Sequence, residues 1–112
     1  MTEVRERLQA DLQEAQRELQ GLERRLEQRP EFGLGDGNPR AYSWEMALAR
    51  KEKTIARIES LRDALGRAHE GAYGNCRQCG VSIDPERLEI LPTTTLCAGC
   101  ARAATAATSS RQ

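Results

Sequence analysis

Four cysteines stand in the last third of the chain in the order Cys76-x2-Cys79-x17-Cys97-x2-Cys100. Two CxxC pairs at this separation match a tetrahedral zinc site, each pair forming a tight knuckle that supplies two thiolates. Gly80, directly after Cys79, permits the positive φ that turns backbone N–H groups toward sulfur. Four thiolates around Zn²⁺ leave a charge of about −2, and Arg77, Arg87 and Arg102 lie close in sequence to offset it. With all four positions taken by protein, no site remains for a catalytic water. The expected cofactor is therefore one structural Zn²⁺, and the chain is not expected to be an enzyme. Two disulfides are disfavoured in a reducing compartment, and a thioredoxin-like redox pair lacks its βαβ setting.

The elements that position these thiols must come from a small and strongly charged chain. It has 112 residues, 30% of them charged and 4% aromatic, which bounds it to one small domain or a compact unit with an extended appendage. A core of that size needs a staple, a partner or a metal. The formal net charge of +0 argues against nonspecific adhesion to nucleic acid or anionic lipid. No apolar run reaches membrane-span length and Met1–Ala10 has no apolar signal core, so no membrane association is expected and the expected location is the cytoplasm.

From Val4 to Arg29 the apolar positions are Val4, Leu8, Leu12, Ala15, Leu19, Leu22 and Leu26, settling into the alternating spacing of a coiled-coil seam. Gly21 interrupts the propensity but not the seam, so one continuous helix is expected, stopped by Pro30. Asn38 is a suitable N-cap and Pro39 a suitable first helical residue for a second helix. Its expected stripe is Leu48, Ile55, Ile58, Leu61, Leu65 and Ala68, ended by Gly71 and Gly74. Neither stripe can be buried alone, so a short connection makes the helices antiparallel partners.

The expected fold is mainly α: an antiparallel two-helix coiled-coil hairpin attached to a small four-cysteine zinc-finger domain with a short C-terminal helix. The hairpin takes residues 1–72 with its tip at 30–38, the finger and the start of the last helix 73–104, and a frayed tail 105–112. The finger itself contains β-prone pieces at Val81–Ile83 and Thr93–Leu96, a turn or helix start at Asp84-Pro85, and a break at Pro92. The last helix is expected to begin after Cys100. A monomer is expected, with a trans-paired dimer as the competing arrangement.

Residues 73–100, YGNCRQCGVSIDPERLEILPTTTLCAGC, resemble the four-cysteine zinc finger of the DksA/TraR family of bacterial RNA polymerase regulators. Ile83, Arg87 and Pro92 occupy the family's fixed Ile, Arg and Pro positions, and Tyr73-Gly74 matches its aromatic-glycine lead-in. Arg77 departs from the acidic or small polar residue usual there. The resemblance implies a transcription regulator whose coiled coil enters the secondary channel of RNA polymerase, acting through acidic residues at its tip. A GATA-type DNA-binding finger shares the x17 spacing, but its basic tail is missing from ARAATAATSSRQ, so direct sequence-specific DNA binding is not expected.

The family's tip carries two aspartates three residues apart, then an alanine two residues on. A gapless count from Cys76 puts Asp36 on the second aspartate, Gly33 on the first and Asn38 on the alanine, with Glu31 as a nearby substitute acid. Asp36, Glu31 and Asn38 are thus the tip effector candidates, and Trp44, Arg50 and Lys53 the partner-contact candidates. Lys53 also matches a basic position of alarmone-binding members, but Ser60 and Ala101 replace two others, so little alarmone dependence is expected. GLGDG is not a phosphate-binding loop, since no strand precedes it and the Lys-Ser/Thr is missing. The alternative from another class is a zinc-stabilised coiled-coil adaptor for a different protein partner.

Overall fold

Seven-residue repetition of small and aliphatic side chains on two consecutive segments produces two long helices that can be covered only by each other. The computed structural model describes residues 2–30 and 39–109. Helix α1 runs Thr2–Leu26, α2 Pro39–Glu70, α3 Pro85–Ile90 and α4 Ala98–Ser109. The chain is mainly α, and among the described residues no strand forms; the β-prone pieces are reduced to a single Asn75–Ser82 antiparallel bridge. A Cα radius of gyration of 18.3 Å, against about 13 Å for a globule of this length, reflects the projecting hairpin.

Helices α1 and α2 pack antiparallel. The ion pair from Arg50 Nε to Glu18 Oε1 (2.6 Å) and the bond from Trp44 Nε1 to Leu26 O (3.1 Å) set their alignment. The core of the hairpin is Leu8, Ala15, Ile58, Leu61, Ala64 and Ala68, flanked by Val4, Leu12, Leu19 and Leu65. Leu8 and Leu61 are the largest side chains to be fully enclosed.

Two expectations about the helices need correction. Helix α1 ends at Leu26, short of the turn before Pro30; Gln28 N reaches back only to Arg25 O, a tightened last turn. The α2 seam in its first half also lies one residue away from the expected stripe. Ala47 and Thr54 are buried, whereas Leu48 and Ile55 are 39% and 37% exposed. Spacing of seven links 47, 54, 61 and 68, and the helix must present that row whole, whatever the size of its members. Thr54 is tolerated there because its hydroxyl donates to Arg50 O at 2.9 Å.

Helix α2 closes with a Schellman motif. Gly71 adopts φ +77°, Gly71 N donates to Ala68 O and Ala72 N to Arg67 O at 2.8 Å. The chain then turns into Tyr73, which is buried in the same core as Leu8 and Ala68 and ties the finger to the hairpin.

Candidate metal centre

Each cysteine pair is placed by its own backbone device. In the first, Gly80 N donates to Cys76 O and Gly80 sits at φ +81°, while Cys76 N donates to Val81 O. Gly74, at φ +86°, accepts from Ile83 N and closes the other end of the knuckle. In the second pair, Cys97 stands directly before α4. Its carbonyl takes the first helical bond from Ala101 N, and its sulfur accepts from Cys100 N at 3.5 Å. Sulfur thus occupies the place of an N-cap oxygen at a helix N-terminus, where negative charge is favoured.

This explains why α4 starts at Ala98 rather than after Cys100: the second knuckle is its first turn. The helix runs on to Ser109, through residues whose composition suggested a frayed tail.

Residues between the pairs join the halves. Asp84 caps α3 by accepting from Glu86 N through Oδ1, with Pro85 at the first helical position. Arg87 Nε donates to Leu96 O at 3.1 Å, and Arg77 N to Thr95 O at 2.8 Å, both bracing the approach to Cys97. Arg87 therefore acts as a clamp on the backbone. Ile83 is buried, and Pro92 O accepts the Tyr73 hydroxyl at 2.8 Å. Burial raises the Tyr73 pKa against the opposing pull of Arg7 and Arg67.

The four Sγ atoms lie within 4.8 Å of one another. Zn–S bonds of about 2.3 Å require tetrahedral S···S edges of about 3.8 Å, and Cys79 Sγ to Cys97 Sγ is 3.8 Å. All four cysteines are free thiols, far beyond disulfide length. Backbone N–H groups, that of Cys97 first, lower the Cys76 thiol to about 6. The Cys100 N–H likewise lowers Cys97. Hydrogen bonding with the other sulfurs, Cys97 foremost, pushes Cys100 up to about 12. Without a cation this cluster shares its protons; a divalent thiophilic ion resolves the crowding by replacing them. The residues fit one structural Zn²⁺, whose contribution is cohesion of the finger.

The remaining candidates lie along the hairpin. Glu31, Asp36 and Asn38, like Phe32 and Leu34, lie outside the described residues. Lys53 is exposed, and Arg50 is held by Glu18. Trp44 is half-buried, its indole N–H capping the last turn of α1, with the Arg29 guanidinium 5.3 Å from its ring centroid. The grouping of Arg25, Arg29 and Arg40 beside this tryptophan was missed in the sequence. The i,i+4 step from Arg25 to Arg29, just before Pro30, was the available signal.

Tyr73→Phe is expected to cost about 1 kcal/mol by leaving the Pro92 carbonyl without its donor. The zinc stoichiometry should stay unchanged; thermal melts and metal analysis measure both effects.

Comparison with known proteins agrees with this geometry. Residues 71–106 match the family described as prokaryotic dksA/traR C4-type zinc finger. The fold is similar to that of transcription factor DksA2 from Pseudomonas aeruginosa, with a TM-score of 0.79 and 27% identity. That likeness covers 97% of this chain and 84% of the other. An uncharacterized protein of Aquifex aeolicus (strain VF5) is 35% identical over 60 residues, 54% of this chain. The match spans only 41% of that relative's length.

Proposed function

We propose that this chain, which carries a DksA/TraR C4-type zinc finger on a DksA2-like fold, regulates transcription by binding RNA polymerase. The observation that carries the reading is the joint likeness of finger and hairpin to a transcription factor, over 97% of the chain. Function of this kind needs no chemistry at the zinc, whose four ligands come from protein.

In the proposed mechanism residues 1–72 act as a rod and residues 73–104 as its anchor, with the rod entering the polymerase secondary channel as a monomer. A hairpin two helices thick is a shape that a narrow pore admits. Asp36 is the proposed effector, with Glu31 and Asn38 beside it, and Trp44, Arg50 and Lys53 the proposed contacts behind the tip. Because Ser60 and Ala101 replace basic residues, the effect should depend little on alarmone.

Competition for purified polymerase against a secondary-channel factor tests the reading. Wild type and Asp36→Ala are both expected to compete, and only wild type to change initiation. Failure of wild type to compete would reject the channel mechanism. Strong synergy with alarmone would reject its independence.

A further inference from the structure

The chain joins α1 to α2 through residues 27–38, so the first turns of α1 lie at the opposite end of the hairpin, far from that tie. There they meet the finger. The Arg7 guanidinium donates from Nη2 to Glu89 O at 2.8 Å, across 82 residues of sequence. Glu89 O is one of the carbonyls that the short helix α3 leaves open at its C-terminal end, and a guanidinium bond to it is charge-assisted. Leu88, the residue before it, packs against the hairpin core that contains Leu8 and Tyr73.

Apolar packing at this joint is loose. Val4, Leu8, Tyr73, Leu88 and Pro92 are among the residues around a cavity of about 220 Å³. A void forfeits the dispersion contacts of its lining, so the directed Arg7 bond carries more of the alignment. Helix α3 contains no buried residue and keeps its place through the Asp84 cap and the bond from Arg87 to Leu96 O. It therefore offers Leu88 and Glu89 O to α1 only while the finger is folded.

We propose that Arg7 and Leu88 form a latch through which the folded finger fastens the first turns of α1, so that the base of the rod is ordered only when the finger is. The latch is a property of the isolated chain and does not rest on polymerase binding. Such coupling is reciprocal: the stability that the finger lends to α1 is returned to the finger, and hence to its metal affinity.

The test follows amide hydrogen exchange of the zinc-loaded full chain and measures its zinc affinity by competition with a chelator. Arg7→Ala and Leu88→Ala should each speed exchange at residues 8–12 about five- to tenfold and weaken zinc affinity by about the same factor. Exchange across residues 15–22 should stay within about twofold of wild type. Alanine is at least as good a helix former as arginine, so faster exchange in Arg7→Ala cannot come from propensity. Arg17→Ala, exposed on α1 beyond the latch, should change neither reading. Removing zinc from wild type should speed exchange at residues 8–12 by more than about tenfold and far less at 15–22. An equal rise in both segments would make the finger a support for the whole hairpin and overturn the proposal. Wild-type exchange at residues 8–12 in both latch variants, or unaltered zinc affinity in both, would also overturn it.

Discussion

Cys76→Ser is expected to abolish stable zinc retention and to unfold the finger while leaving most of the hairpin helix in place. The reason is how little else holds this region together. Within residues 73–106, only Tyr73, Cys76 and Ile83 are buried, and α3 contains no buried residue. Structural zinc contributes an apparent ~10–16 kcal/mol in small finger peptides, far more than three partly shared side chains supply. Cys76 is also the most enclosed ligand, so serine there leaves a hydroxyl facing three sulfurs with no thiolate to complete the shell. Helical signal should fall by roughly the share of α3 and α4, 6 and 12 residues, against 25 and 32 in the hairpin. Metal analysis and far-ultraviolet dichroism read the two effects, and a chelator should reproduce them in wild type. Full zinc stoichiometry in the variant would show that the fourth ligand is dispensable.

Leu61→Ala should be among the most damaging single changes in the hairpin, costing about 2–5 kcal/mol, whereas Leu48→Ala should stay within about 0.5 kcal/mol. Both remove the same atoms from the same helix. Leu61 is 2% exposed, however, and Leu48 39%, so only the first leaves a cavity in packed surroundings. A chain this small is marginal to begin with, so the larger loss is enough to populate the unfolded state at moderate temperature. Denaturant melts of the two variants decide the matter. Equal destabilisation would mean that the seam follows side-chain size and that the register is the one expected from the apolar stripe.

That register is where sequence reasoning went astray, and the physical cause is specific. Leu48 and Ile55 are larger than Ala47 and Thr54, and hydrophobicity alone favours them for burial. The pairing is cooperative along α2, and Leu61 and Ala68 draw the residues seven and fourteen earlier into the same row. By contrast, the four thiols were legible because their chemistry needs that spacing wherever it occurs. So were the start of α2 at Pro39 and its end at Gly71, since each rests on a local backbone rule, whereas Asp84-Pro85 could be read only as a turn or a helix entry. The start of α4 was not, because nothing in CAGC announces that a cysteine sulfur will replace a capping oxygen. The Arg87 clamp and the grouping of arginines beside Trp44 depend on segments distant in sequence meeting, which no local pattern encodes.

The small residues in the distal seam also bear on the calibre of the rod. Helix axes pack roughly 8–10 Å apart according to the side chains between them. Ala47 and Thr54 place small side chains in the seam toward the tip, and Ala64 and Ala68 do so toward the finger, between the larger Ile58 and Leu61. Small residues at both ends of the seam thus favour a close helix pair along the length of the hairpin.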